Sequence, residues 1–259
     1  MSEPIVAARG LKKRFGAVVA ADDVTIEIGP REILGVIGAN GAGKTTFLNM
    51  VTGYLKPDEG TIMFRGADIT RLPPREVTRL GIHRSFQVAQ LFPNLSVLDN
   101  ILVALASVER TRPSLMAALR TWGSIARAEA ILAKLGLQDD AARATTELPQ
   151  GRRKLLDIAL AMVGRSAVLL LDEPTSGISA GEKFPLMDLV LEAVVAEEAA
   201  VMFVEHDMEL VERYAERVIA FYEGRVIADG APAEVLVDPD VRRYVVGAEL
   251  HRRPEGTPT

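Results

Sequence analysis

Ile33-Leu34-Gly35-Val36-Ile37, then Gly38-Ala39-Asn40-Gly41-Ala42-Gly43-Lys44-Thr45-Thr46, then Phe47-Leu48-Asn49-Met50-Val51 is the stretch that decides the fold. The first five residues are an unbroken apolar run and read as a buried strand, and the last five read as the opening turns of a helix. Between them the spacing of glycines before Gly-Lys-Thr is that of a phosphate-binding P-loop. Glycine lets the backbone turn tightly and point several N–H groups at one anion. The helix N-terminus adds partial positive charge at the same place. Asn40, Gly41, Ala42, Gly43, Lys44, Thr45 and Thr46 are the candidate nucleotide-binding residues, with the Lys44 ammonium for the outer phosphates and the Thr45 hydroxyl for Mg²⁺. A Gly-rich turn alone would need neither the lysine nor the threonine.

A second stretch supplies carboxylates. Val168-Leu169-Leu170-Leu171 runs into Asp172-Glu173. In a P-loop protein, a carboxylate at the end of a buried strand is placed to hold Mg²⁺ through its water shell. The next carboxylate is placed to polarise an attacking water. An isolated Asp-Glu would only cap a strand; behind four apolar residues the pair reads as chemistry.

Outward from these two stretches, apolar strands alternate with helices, which predicts a largely parallel sheet covered on both faces. Strands are predicted at 5–8, 24–28, 61–64, 82–86, 168–171, 200–204, 218–222 and 226–228, with 12–16 as the connection between the first two. The alternation at Val24, Ile26 and Ile28 marks an antiparallel, half-exposed N-terminal sheet. Short helices are predicted at 75–80 and 208–215. Ala/Leu-rich segments at 97–106, 115–119 and 122–137, closed by a helix at 152–162, read as a helical insertion, and the α/β pattern resumes with a helix at 183–196. Residues 251–259 have little to bury and are predicted to be a disordered tail.

The composition narrows the classes. The 259 residues have 48% apolar and 25% charged content, ordinary for a globular chain. A net charge of -5 argues against nucleic acid as the main partner, and the absence of cysteine removes disulfides and thiol chemistry. No signal-peptide pattern opens the chain. The most apolar regions, 155–171 and 186–204, are cut by Arg165 and by Asp188, Glu192, Glu197 and Glu198. Neither has the uninterrupted length a membrane span needs, so any membrane role is expected to run through a partner.

Leu148-Pro149-Gln150-Gly151-Arg152-Arg153-Lys154-Leu155-Leu156-Asp157-Ile158-Ala159 lies between the P-loop and the acidic pair and resembles the signature motif and helix of ABC-transporter ATPases. Ser85-Phe86-Gln87 resembles that family's glutamine loop, and Glu205-His206-Asp207 its switch histidine. The motifs stand in the family's order, over residues 5 to 247. The resemblance implies an α/β fold: a P-loop ABC ATPase core with a mainly parallel sheet, an N-terminal antiparallel β subdomain and an inserted α-helical subdomain. Its bounds would be 1–250 for the nucleotide-binding domain and about 88–163 for the insertion.

The resemblance also assigns roles. Phe15 would stack on adenine. Gln87 would touch the Mg²⁺ shell with Thr45 and Asp172. Glu173 and His206 would order the attacking water, with Gln87 as the third catalytic residue. Gly151 would meet the γ-phosphate of ATP held by a partner copy, because such domains pair head to tail. Two departures stand out. The usual Leu-Ser-Gly-Gly-Gln is here Leu148-Pro149-Gln150-Gly151-Arg152, and Ser179 stands where the family usually has aspartate. Pro149 lacks both hydroxyl and N–H, and Arg152 is either a phosphate-directed cation or one that faces elsewhere. They suggest pairing with a different ATPase subunit, with two unequal sites.

Gly81-Ile82-His83-Arg84-Ser85-Phe86-Gln87 and Leu91-Phe92-Pro93-Asn94-Leu95-Ser96-Val97 resemble the ATPase subunits of branched-chain amino-acid importers. That branch implies ATP and Mg²⁺ as cofactors, two transmembrane permease subunits contacted through Gln87 and 88–98, and an external solute-binding protein. It also implies a place on the cytoplasmic face of the membrane. A soluble phosphotransferase leaves the signature and His206 unexplained. A non-transport ABC ATPase acting on DNA or ribosomes would usually show tandem domains or long coiled coils. The ATPase of an exporter shares the P-loop chemistry.

Overall fold

The computed structural model describes residues 3–85, 91–108 and 122–247. In chain order the elements are β1 (Val6–Phe15), β2 (Val18–Ile28), β3 (Ile33–Gly38), α1 (Lys44–Val51), β4 (Glu59–Phe64), β5 (Ala67–Asp68), α2 (Pro74–Leu80) and β6 (Ile82–Ser85). There follow α3 (Val97–Val108), α4 (Trp122–Lys134), α5 (Gln150–Met162), β7 (Val168–Asp172), α6 (Ala180–Val195) and β8 (Ala200–Val204). The chain continues through α7 (Met208–Tyr214), β9 (Arg217–Tyr222), β10 (Arg225–Gly230), α8 (Pro232–Val235) and α9 (Pro239–Val241). The expected strand at 82–86 is described as far as Ser85; Gln87, the 115–119 segment and the 251–259 tail lie outside the described residues. No helix among the described residues is long and apolar enough to cross a membrane.

The chain divides into two compact units, residues 1–74 with 202–259, and residues 75–201. The first contains an antiparallel sheet in the order β2-β1-β4-β5. Val24, Ile26 and Ile28 are buried on one face of β2 while Thr25 is exposed, as the alternation predicts. The expected connection at 12–16 is instead mostly strand. β1 continues to Phe15, with Lys13 opposite Ala21, Arg14 opposite Val19 and Phe15 opposite Val18. The reason is a bulge. Gly10 takes φ 60° and the register shifts between Ala8 and Leu11, which re-aims the second half of the strand. Its lysines pair with Glu59 at 2.8 Å and Asp58 at 2.7 Å, and that charge hides the strand from a hydrophobicity reading. The same unit holds β3, parallel to β9 from Leu34 opposite Arg217 to Gly38 opposite Phe221. β10 returns antiparallel to β9 through Glu223-Gly224.

In the second unit β6 runs parallel to β7, Ile82 opposite Val168 and Ser85 opposite Leu171. β7 is buried along its whole length, which explains its unbroken apolar sequence. The first residue of β8 extends this unit, with the Ala200 N–H donating to the Ala167 carbonyl at 3.0 Å. α5 packs on β6, β7, α3, α4 and α6. Apolar side chains such as Ile101, Leu105, Leu132 and Leu156 are at most 1% exposed.

His83 is buried in this unit. Its Nδ1 lies 3.0 Å from the Ser166 hydroxyl. A Cβ added at Gly164 would stand 2.5 Å from Nε2, so the ring requires glycine there. Burial pulls the imidazole pKa down to about 4 from 6.5. Above pH 6.5 the ring is neutral folded and unfolded, and its burial carries no proton penalty. As pH falls from 6.5 to 4 the unfolded chain takes up a proton that the folded one refuses, so stability is lost across that window. The loss is about 3 kcal/mol at pH 4. Urea unfolding at pH 7 and pH 4 should show this extra loss in the wild type and not in His83→Gln.

Candidate functional site

The first unit carries the phosphate cradle. β3 ends at Gly38, and α1 begins at Lys44 behind Gly43, which takes φ 108°. No acidic side chain occupies the first turn of α1, so nothing in it competes with an anion for the free N–H groups. Two glycines are fixed by close approach. A Cβ on Gly38 would lie 2.6 Å from the Phe221 carbonyl oxygen. A Cβ on Gly43 would lie 2.6 Å from the Ala20 oxygen and 3.3 Å from the Gly224 Cα. Gly41, by contrast, faces open space. The Gly224 N–H donates to the Ala42 carbonyl at 2.9 Å, bracing the loop from the β9–β10 turn. Gly43→Ala is therefore expected to cost about 1–3 kcal/mol and to weaken nucleotide binding, both readable in thermal melts with and without ATP.

Lys44 is 6% exposed, and its ammonium donates to the carbonyls of Gly38 and, at 3.1 Å, Ala39. The loop's own oxygens hold the charge where phosphate oxygens would compete for it. Asn40, Gly41 and Thr45 are exposed and Thr46 is half-buried, whereas Ala42 is buried. Phe15 closes the β1 side of the β1–β2 hairpin and is 52% exposed, so it is not a core aromatic. The Lys13 ammonium lies 5.7 Å from its ring centroid. Ala20, on the paired strand, is the residue that abuts Gly43, so the ring sits on the strand pair that borders the cradle. His206 lies in the turn between β8 and α7. The Glu205 N–H donates to the Val36 oxygen at 3.2 Å, setting that turn beside the strand that feeds the P-loop. Asp207 caps α7 by accepting from the Glu209 N–H at 3.2 Å.

The second unit carries the carboxylates. Asp172, 4% exposed, is the last residue of β7. Its Oδ2 accepts from the Arg84 guanidinium at 2.6 Å, and its main-chain oxygen lies 3.4 Å from the Lys154 ammonium. Glu173 follows in the left-handed region at φ 49°, a backbone that costs a non-glycine residue about 1 kcal/mol or more. This left-handed residue ends the strand path directly after Asp172.

α5 starts behind Pro149, whose oxygen accepts from the Arg153 N–H at 3.0 Å. Proline's fixed φ suits this position, but it offers no side-chain cap to the helix. Gly151 lies in the first turn. Gln150 reaches the Ser176 oxygen at 3.5 Å. Arg152 faces elsewhere than the helix tip: its guanidinium donates to the Gly136 oxygen at 2.5 Å and stands 3.5 Å from Asp140 Oδ2. Ser179 is used locally, donating to Glu182 at 2.5 Å at the start of α6.

The donor chemistry suits Mg²⁺, which takes oxygen ligands and keeps several waters. In the first unit Thr45 offers an exposed hydroxyl; in the second, Asp172 offers a carboxylate. The sequence reading missed Arg84. Its only signal was a cation in a short strand, Ile82-His83-Arg84-Ser85, whose other residues are buried, and its partner depends on the β6–β7 register.

The ABC transporter family model matches residues 21–176. The chain belongs to the ABC transporter family. Over 255 residues it is 36% identical to the high-affinity branched-chain amino acid transport ATP-binding protein LivG of Escherichia coli K12, covering 95% of this chain and 99% of that protein. BraF of Pseudomonas aeruginosa, of the same description, is 32% identical over 255 residues with the same coverage. Among solved structures, the ADP conformation of MJ1267, an ATP-binding cassette of an ABC transporter, matches with a TM-score of 0.84 at 30% identity, over 94% of this chain and 98% of that one. A nucleotide-free ATP-binding cassette matches with a TM-score of 0.81 at 30% identity, over 92% and 97%. This ABC subunit thus has the predicted α/β fold, and its likeness to the branched-chain branch runs nearly end to end.

Proposed function

We propose that this chain is the Mg²⁺-dependent ATP-hydrolysing subunit of an importer for a branched-chain amino acid or a similar small amino-acid or amide solute. The observation that carries this is the likeness to LivG across 95% of the chain, joined to a cradle in which Gly38 and Gly43 admit no side chain. In this reading ATP lies on the P-loop with Phe15 against adenine. Lys44 leaves its two carbonyls for the outer phosphates. Thr45, Asp172 and Gln87 hold Mg²⁺, which neutralises phosphate charge. Glu173 takes the proton of the attacking water, and His206 and Gln87 orient that water and the γ-phosphate.

Closure would bring Gly151 of one copy against ATP on another. The helical part, about 88–163, would carry that motion to two permease subunits at the cytoplasmic face of the membrane, which an external binding protein supplies. We further propose a heterodimer with unequal sites. Pro149 gives α5 no side-chain cap, and the Ser179 hydroxyl is engaged with Glu182, so neither supplies the contact its usual counterpart would make. The purified chain should hydrolyse ATP only with Mg²⁺, and in vesicles with its permeases hydrolysis should rise with loaded binding protein. Full turnover by a purified homodimer, in which both sites carry Pro149 and Ser179, unchanged when a second ATPase subunit is added, would contradict the unequal-site reading. Hydrolysis indifferent to the permeases would contradict the transport reading.

A further inference from the structure

Arg84 is a charged residue inside a core strand. Its side chain is 5% exposed and stands 2.6 Å from Asp172 Oδ2, itself on a side chain 6% exposed. The register explains the reach. Arg84 lies opposite Leu170 on the parallel neighbour, and Asp172 is two residues further along the same face. Only a long side chain spans that diagonal.

A carboxylate at the end of a fully apolar strand must be paired to stay buried as an anion. Arg84 does this through one N–H to one oxygen. Among the described residues Oδ1 accepts no hydrogen bond. The guanidinium therefore ties Oδ2 and leaves Oδ1 as the oxygen that can meet a ligand. Lys154, from the signature helix, holds the main-chain oxygen of the same residue at 3.4 Å, so both the backbone and the side chain of Asp172 are tethered.

We propose that Arg84 is the positioning residue for the Mg²⁺-facing carboxylate of Asp172, tying Oδ2 so that Oδ1 meets the metal's water shell. This rests on the reading of Asp172 as a Mg²⁺ residue. Groups that orient a metal's ligands typically change metal affinity by about 10- to 100-fold when removed. ATP held by the P-loop without metal owes nothing to Arg84.

The test is equilibrium binding of a fluorescent ATP analogue to the full chain, in EDTA and in Mg²⁺, for wild type, Asp172→Asn, Arg84→Met and the double variant. The readout is the factor by which Mg²⁺ tightens binding, which a merely structural role would leave alone. Arg84→Met should cut that factor about tenfold or more with affinity in EDTA unchanged, and adding it to Asp172→Asn should change nothing further. Removing one partner of a buried pair can unfold a protein. Arg84→Lys keeps the charge, and it should lose part of the factor because a shorter, non-directional ammonium does not span the same diagonal to Oδ2. A wild-type factor in folded Arg84→Met and Arg84→Lys, with the factor lost in Asp172→Asn, overturns the proposal. A wild-type factor in Asp172→Asn overturns the Mg²⁺ reading of Asp172 and this proposal with it.

Discussion

Glu173→Gln is expected to stop ATP hydrolysis while leaving ATP bound. A positioned general base contributes about 10²- to 10⁴-fold, and an amide of nearly the same shape has no basicity to offer. The substitution also respects the site's geometry. Glu173 sits at φ 49° directly before Pro174, and glutamine imposes no new demand on that backbone. Single-turnover hydrolysis should fall at least 100-fold, with nucleotide affinity within a few-fold of wild type. If the head-to-tail pairing holds, the variant should accumulate as a closed ATP-bound dimer in size-exclusion runs. Turnover near the wild-type rate would remove Glu173 from the role of base.

Lys44→Ala should act one step earlier, on binding. Its ammonium is nearly buried and already aimed at the P-loop carbonyls of Gly38 and Ala39. Its charge is therefore pre-positioned rather than recruited from solvent. A hydrogen bond to a charged group contributes about 1.5–3 kcal/mol, which predicts ATP affinity lower by about 10- to 100-fold in titration calorimetry. Without nucleotide the fold should persist, because the loop keeps its brace from Gly224 on Ala42 when the lysine is removed. Unchanged ATP affinity would contradict the P-loop assignment.

These two sites were legible in sequence because each is local. The strand, turn, glycines and helix start around Lys44 all lie within residues 33–51, and Asp172-Glu173 follow their strand directly. The long β1 strand was not legible. Its bulge at Gly10 and its lysine-rich second half pair with Asp58 and Glu59, more than forty residues away. Helix starts moved for a related reason. α6 begins at Ala180 behind Ser179, a cap signal outweighed in the reading by the apolar period further on. The Arg84–Asp172 pair needs the parallel β6–β7 register, which local periodicity does not reveal. Arg152 illustrates the same limit: its partners Gly136 and Asp140 come from a separate turn.

The central claim, an ATPase subunit that drives import, is tested most directly by recovering the tagged chain from gently solubilised native membranes and identifying what comes with it. The account predicts two polytopic permease subunits in stoichiometric amounts together with a second ATPase subunit. Recovery of only soluble partners, such as ribosomes or a homodimer, would contradict the transport assignment while leaving the nucleotide chemistry in place.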